Sequence, residues 1–427
     1  MSPRSVNGGQ ADRANEQQAL AHGREQLGAE RRAVNPLAIH AYTVTTALGA
    51  GRDALWQALQ QQRSGLVPCD FDDADLATWI GRVPGCEEVA LPAPLADWYC
   101  RNNQLAELTL QQDGFLDAVE NARARYAPER IGLFLGTSTS GIGTTEHAYR
   151  DVVDGRLPDW FSFEHTHDYF ALCGYVQRRL GLAGPALTIS TACSSSAKVF
   201  ASAARSIAAG FCDAAVVGGV DSLCLTTLYG FASLQLTSPE PCRPWDAQRS
   251  GISIGEAGGF ALVAPANDDE DGTRVIGIGE SGDAYHMAAP EPDGRGAALA
   301  MHRALASAGV TADAVDYINL HGTATPANDK AEDRAVVDVF GQSTPASSTK
   351  GWTGHTLGAA GIVEAVVACL ALEHDYRPAT LNTREVDADL GCRVLTSPES
   401  GGVKRVLSNN FGFGGSNCSL LLAGGAN

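Results

Sequence analysis

A cysteine at a strand-to-helix junction is the first residue here whose setting suggests chemistry. The stretch Ala186-Leu-Thr-Ile-Ser-Thr-Ala-Cys193-Ser-Ser-Ser-Ala197 runs from a β-rich segment into small residues, and the helical pattern Lys198–Ala209 stops at Gly210. A thiol on the first turn of a helix meets free N–H groups and the positive end of the helix dipole, both of which favour a thiolate. Small buried thiols that merely fill a core are also common. On this segment alone, nucleophile and core filler are equally good readings.

Three more loops carry reactive side chains. His321-Gly-Thr-Ala-Thr325-Pro-Ala-Asn-Asp329-Lys-Ala-Glu332 follows the apolar run Val315–Leu320. It therefore opens at the C-terminal end of a strand, where open α/β sheets place their sites. Ser347-Ser-Thr-Lys350-Gly-Trp-Thr-Gly-His355 leads into a helical pattern that holds Glu364 nine residues beyond the imidazole. Asn409-Asn-Phe411-Gly-Phe413-Gly-Gly-Ser-Asn417 is rich enough in glycine to turn tightly against a ligand. Taken singly, either histidine reads as an ordinary loop or core imidazole. Neither has a third ligand at metal spacing in the chain, so no metal site is expected. Gly251-Ile-Ser-Ile-Gly255 matches a nucleophile elbow but lacks the strand before and the helix after that the elbow needs. The Gly412–Gly415 run lacks the Gly-Lys-Ser/Thr ending of a phosphate loop.

Composition narrows the function classes. The 427 residues are 44% hydrophobic and carry a formal charge of −18, which argues against nucleic acid and anionic membranes as partners. An acidic partner docking on a local basic patch stays compatible. Eleven cysteines are scattered without a CxxC pair, as expected for a reducing compartment. No apolar run approaches the ~18 residues of a membrane span, and no signal-peptide core opens the chain. A cytoplasmic location and no membrane span are expected.

These loops must be held by an alternating scaffold. Strands are expected at 37–44, 130–136, 186–190, 214–218, 259–263, 274–279, 314–320, 346–349, 403–409 and 419–422. Helices are expected at 52–61, 113–126, 195–209, 295–308, 327–340 and 359–373. Strands interleaved with helices indicate an α/β fold with buried sheets. A strand, a reactive loop, a helix and then Gly-rich strands recur in each half, which suggests a duplication. The division falls near 267–272, giving a first half over 35–270 with the cysteine and a second over 271–427 with the histidines. Residues 1–34 hold five Arg against four Asp/Glu and almost no large apolar side chains. They read as a disordered extension.

In combination, Thr191-Ala-Cys193-Ser-Ser, Pro244-Trp-Asp246, His321-Gly-Thr-x-Thr325, Lys350-x4-His355 and Gly412-Phe413-Gly-Gly resemble the elongating β-ketoacyl-(acyl-carrier-protein) synthases. The match spans roughly residues 36 to 424, in order. The resemblance implies a thiolase fold, two βαβαβαββ halves in a five-layer α-β-α-β-α sandwich, normally dimeric with itself or with a ketosynthase-like chain. It implies that Cys193 takes an acyl chain from acyl carrier protein, and that His321 and His355 polarise the malonyl thioester for decarboxylative condensation. It further implies an oxyanion hole from the Cys193 and Phe413 N–H groups, with the Phe413 ring as a gate. Lys350 would order the charge network with Glu364, while Asp329 and Glu332 brace the loop. Thr323, Thr325, Thr139, Phe231 and Phe411 would contact the phosphopantetheine arm or acyl chain. No resident cofactor is implied, since both groups arrive on the carrier's phosphopantetheine.

Relatives are separated on the same residues. Thiolases carry a second catalytic cysteine, initiating synthases pair Cys with His and Asn, and chain-length factors usually lack the nucleophile. A non-catalytic partner subunit is the rival reading. The chain also departs from the fatty-acid enzymes. Leu37–Val44 lacks the usual Val-Thr-Gly opening, Arg101 is one cation where several form the carrier-docking rim, and Gln235 stands where a docking Arg is frequent. The loop Gly136–Gly143, with Thr139, is small and polar where an aliphatic residue is common. These departures point towards a polyketide or aryl-polyene branch.

Overall fold

The structure, a computed structural model, describes residues 35–267 and 271–425. The expected N-terminal extension lies outside the described residues. Ten strands run in one continuous path: β1 (Leu37–Thr46), β2 (Ile131–Gly136), β3 (Ala186–Ile189), β4 (Ala214–Asp221), β5 (Ala257–Pro265), β6 (Arg274–Gly282), β7 (Tyr317–Asn319), β8 (Ala346–Ser347), β9 (Arg405–Gly412) and β10 (Ser416–Ala423). Their spatial order is β8-β7-β9-β10-β6-β1-β5-β4-β2-β3. Read outward from the centre, each side repeats the other. The second and third strands of each half pair in parallel, the second and fourth pair in parallel, and the fourth and fifth are antiparallel. Among the described residues the two sheets pair at Leu37↔Val275 and Ala38↔Arg274, with the Ile39 N–H donating to the Thr273 carbonyl at 3.0 Å, whereas β1 matches β5 over a long antiparallel register. The duplication suggested by the loops is thus a pseudo-twofold pair of mixed sheets.

Side-chain alternation fixes the layering, because neighbours along a strand face opposite sides. Phe134, Val217, Val406 and Leu420 share one core with Phe200 and Val366 of the helices Ser195–Ala208 and Ala360–Glu373. Their neighbours Leu133, Leu135 and Val216 instead pack on Leu105 and Val176 of the helices Arg101–Leu110 and Tyr169–Leu180. On the other side Leu407 and Leu421 pack on Met301 and Val336, from the helices Arg295–Ala308 and Pro326–Phe340. The result is helix, sheet, helix pair, sheet, helix. The helix Ala360–Glu373 is apolar around its circumference except at Glu364 and the terminal Glu373, and it is buried from Ala360 through Ala371, as a central layer requires. Glycine lets the central helices come close to their neighbours: a Cβ on Gly361 would lie 2.3 Å from the Ala197 nitrogen, and one on Gly136 2.5 Å from the Ser196 nitrogen.

The helices 52–61 and 295–308 coincide with the sequence reading. The expected strand 314–320 shrinks to Tyr317–Asn319, because Ala312–Ala314 closes a 3₁₀ turn. The helices Arg101–Leu110, Ile142–Arg150, Tyr169–Leu180 and Leu225–Ser233 were not expected. The first hides Asn102, Asn103, Gln104 and Glu107 on its buried face, so it shows no apolar period. Tyr169–Leu180 did carry a signal: Asp168 caps the Phe170 N–H at 2.8 Å, and Gly181 ends the helix in the left-handed region. Among the described residues, no helix is long and apolar enough to cross a membrane.

Candidate active site

Each reactive loop follows the end of a strand in the two sheets. Between β3 and its helix, Ala192 takes a left-handed φ of 50°, unusual for a residue with a Cβ. The turn is held by hydroxyls: Ser195 donates to the Ala192 carbonyl at 2.6 Å, Ser194 donates to that of Thr191 at 2.9 Å, and the Thr191 N–H donates to Ser195 Oγ at 2.9 Å. This explains the serines after Cys193. The turn sets the thiol at the mouth of the helix Ser195–Ala208, buried yet lining a cavity.

The second half brings both histidines to that thiol. The Cys193 sulfur and a ring nitrogen from each of His321 and His355 lie within 4.8 Å of one another. Chain spacing offered no third donor to the histidines, and the fold supplies one. The two rings stand edge to face with centroids 5.3 Å apart. Hydrogen bonds set their tautomers. The Leu357 N–H donates to His355 Nδ1 at 3.2 Å, so that ring's Nε2 carries the proton. Lys350 Nζ lies 3.4 Å from His321 Nδ1 and also donates to the His321 carbonyl, which leaves His321 Nε2 protonated too. Burial and then the Lys350 charge hold both imidazoles well below their usual range, so both are neutral at pH 7. Two N–H donors converging in a buried site are suited to oxygen that gains negative charge.

Lys350 is buried and pairs with Glu364 Oε1 at 2.5 Å, while Asn410 donates to the other Glu364 oxygen. Burial pushes the Glu364 carboxyl up, and the Lys350 charge opposes that shift. Burial likewise pushes Glu332 up to about 8 although it accepts the His321 N–H at 2.7 Å and the Gly322 N–H at 2.8 Å. Asp329, pushed by burial up to about 6, accepts the Trp245 N–H at 2.9 Å and the Ala324 N–H at 3.2 Å. Both carboxyl groups bind backbone, and neither lines the sulfur's cavity.

The helix terminus does not decide the state of the thiol. Burial pushes Cys193 up to about 11, against the pull of Lys350 and of the nearby Phe413 backbone N–H. The resting group at neutral pH is the thiol, in place of the thiolate that the helix N-terminus led one to expect. The Phe413 N–H beside the sulfur is the geometry an oxyanion hole needs.

Thr323, Thr325, Phe231, Phe411 and Phe413 all line the cavity. The two threonine hydroxyls lie 3.0 Å apart, and Thr325 also caps the helix Pro326–Phe340 through the Asn328 N–H at 3.3 Å. The Phe231 and Phe413 rings meet at 5.5 Å between centroids, closing one wall.

Two assignments need correcting. Arg101 does not present its charge to a docking partner. Its guanidinium grips Glu256 at 2.5 and 2.8 Å and Glu87 at 2.7 Å, with Glu256 fully buried. Thr139 is not on the cavity wall either, because its hydroxyl donates to Asp221 at 2.9 Å. Sequence reasoning passed over Asp221, Asn410 and Glu256. A lone acidic residue at the end of Val217-Gly-Gly-Val-Asp221 was the available signal for the first.

Most of the chain is similar to known proteins of one family. Residues 34–269 match the model of the beta-ketoacyl synthase N-terminal domain and residues 273–384 that of its C-terminal domain. The 3-oxoacyl-[acyl-carrier-protein] synthase 2 of Vibrio cholerae is 34% identical over 399 residues, which cover 86% of this chain and 94% of the relative. Nodulation protein E of Rhizobium meliloti is 36% identical over 398 residues, covering 87% and 95%. A chain in the solved structure of a ketosynthase (ApeO) with its chain length factor (ApeC) from Xenorhabdus doucetiae superposes with a TM-score of 0.83 at 37% identity, covering 92% of this chain and 99% of that one.

Proposed function

Since the chain belongs to the β-ketoacyl synthase family, we propose that it condenses malonyl and acyl groups delivered as thioesters on the phosphopantetheine of acyl carrier protein, with no resident cofactor. The observation that carries this reading is the meeting of one sulfur, two imidazoles and the Phe413 N–H in a single buried cavity.

In the first step the Cys193 sulfur attacks the acyl thioester carbonyl. The tetrahedral oxyanion sits against the N–H groups of Cys193 and Phe413, the pantetheine thiolate leaves, and it takes up the proton Cys193 gives up. In the second step a malonyl thioester lies with its carbonyl oxygen between the two Nε2–H donors. The bond to its carboxylate breaks to release carbon dioxide, and the electron pair forms an enolate whose charge those donors stabilise. The enolate carbon attacks the acyl–Cys193 carbonyl, the sulfur leaves as thiolate and the β-ketoacyl chain stays on the carrier. Neutral imidazoles serve this step better than imidazolium, since each gives a fixed N–H without surrendering a proton. Lys350 contributes by holding His321 in that tautomer, and Thr323 and Thr325 by offering hydroxyls along the entering arm.

The chain is read as the catalytic member of a pair, with itself or with a chain-length-factor-like subunit. The edge strand β3 supports this: it ends the strand path with Leu187 48% exposed, and the neighbouring helix starts with Phe170 58% exposed. An open apolar edge is a template for pairing. The solved neighbours described as ketosynthase with chain length factor, at 37% and 27% identity, favour a polyketide-type pathway over housekeeping elongation. Arg101 does not bear on that pathway, because its charge is engaged by Glu256.

Incubating the protein with acyl carrier thioester and then malonyl carrier tests the reading. Intact mass should show one acyl adduct on Cys193, followed by β-ketoacyl carrier. An unmodified Cys193, under conditions where a control synthase loads, would assign the chain to the non-catalytic role instead.

A further inference from the structure

The histidine loop of the second half is tied to the first half through one carboxylate that the chemistry above does not use. Asp221 ends β4 and is fully buried. It accepts from six groups. Four come from one loop of its own half at the end of β2: Thr137 Oγ1 at 2.7 Å, Ser138 N–H at 2.8 Å, Thr139 N–H at 3.0 Å and Thr139 Oγ1 at 2.9 Å. Ser138 Oγ adds a fifth at 2.5 Å. The sixth is the Gly358 N–H at 2.5 Å, from the other half. Three of the donors are backbone N–H groups, which can only donate.

Gly358 follows Leu357, whose own N–H fixes His355 Nδ1 and whose φ is +52°. A Cβ on Gly358 would come within 2.7 Å of the carboxylate and 2.9 Å of the Ser138 nitrogen, so the turn has no slack. The chain from Asp221 to His355 is therefore short: carboxylate, Gly358 N–H, the strained Leu357, the imidazole. The charges that act on the Cys193 sulfur are those of Lys350, Asp221 and Glu364, and the rings of His321 and His355 lie beside it.

Resting on the condensing reading above, we propose that Asp221 is a positioning residue for His355, holding its Nε2–H on the decarboxylation side of the cavity without touching either substrate. The loop Thr137–Thr139 serves as the clamp that orients Asp221, and this is the place of Thr139 in the site. Loading of Cys193 depends on the N–H groups of Cys193 and Phe413, which Asp221 does not hold, and decarboxylation depends on His355. The two half-reactions should therefore part.

The test is Asp221→Asn in the full chain with carrier-bound substrates. The amide must turn an NH2 against at least one N–H donor, and a misplaced reacting geometry typically slows a step by about 100-fold. Release of carbon dioxide from malonyl carrier by the preloaded enzyme should fall by that order. Acyl loading by intact mass should stay within about 3-fold, and the malonyl-carrier KM within a similar factor. The pH midpoint for alkylation of Cys193 should move down, because a nearby negative charge is removed. Loading and decarboxylation falling together, or a lowered Tm with both rates and the alkylation midpoint unchanged, would overturn the proposal. Where Asp221→Asn does not fold, Ser138→Ala and Thr139→Val each remove one donor. Each should slow decarboxylation more than loading, and equal slowing or none in both variants overturns the idea. If the wild type does not load at all, the condensing reading has failed rather than this one.

Discussion

The two halves share a scaffold and differ in what they place on it. After the third strand of the first half, the connecting turn carries Cys193; after the third strand of the second, it carries Lys350 and His355. After the second strand, one half offers Thr137–Thr139 and the other His321–Thr325. At the end of the fourth strand one half has Asp221 and the other leads into Phe413. Duplication thus delivered six loops to one place. The first half carries the thiol and a hydroxyl-rich loop, and the second the imidazoles and their cation. A buried duplicated interface lets each copy specialise while the shared core between the central helices holds the register.

Variants that silence one half and spare the other sharpen this division. Cys193→Ala should abolish acyl adduct formation, by at least ~10³-fold, while the fold persists. An adduct of normal yield by mass spectrometry would remove Cys193 from the role. His355→Ala or His321→Ala should slow decarboxylation by about 10²–10³-fold, the usual effect of losing one converging donor. Loading of Cys193 in those variants should change by only a few fold, and equal losses in both steps would erase the division of labour.

The pH behaviour of the thiol separates the halves more gently. Burial places Cys193 near about 11. The thiolate fraction, and with it the rate of alkylation by iodoacetamide, should therefore keep rising by about tenfold per pH unit from pH 7 towards 10. A plateau below pH 8 would mean that the helix terminus and Lys350 overcome burial after all.

Arg101 gives the smallest effect on chemistry and a plain one on stability. Arg101→Gln leaves the fully buried Glu256 carboxylate without its cation, a change that typically destabilises by about 3–5 kcal/mol. Urea unfolding should show that loss while the carrier KM stays put. The reverse outcome, an unchanged midpoint with a raised KM, would return Arg101 to the docking surface.

Much of the site was legible because chemistry leaves local marks. Cys193 sat in small residues between a strand and a helix. His321 followed the apolar run Val315–Leu320, His355 led into a helical pattern, and the glycines around Phe413 announced a tight turn. The helix Ala360–Glu373 could be read as helix from its length and apolar content. The helix Arg101–Leu110 could not, because its buried face is polar and finds its partners, such as Glu107 with Arg179 and Tyr175, only in space.

The sequence by itself determined the alternating α/β order, the duplicated halves and the residue types at each reactive loop, since these follow from periodicity, turn chemistry and side-chain identity. Only the tertiary structure decided that Cys193 rests as a thiol, that Arg101 is spent on Glu256, and that Thr139 serves Asp221. Each of those depends on desolvation and on partners more than 80 residues away in the chain for Thr139 and more than 150 for Arg101. No local pattern carries that information, because burial is a property of the packed molecule.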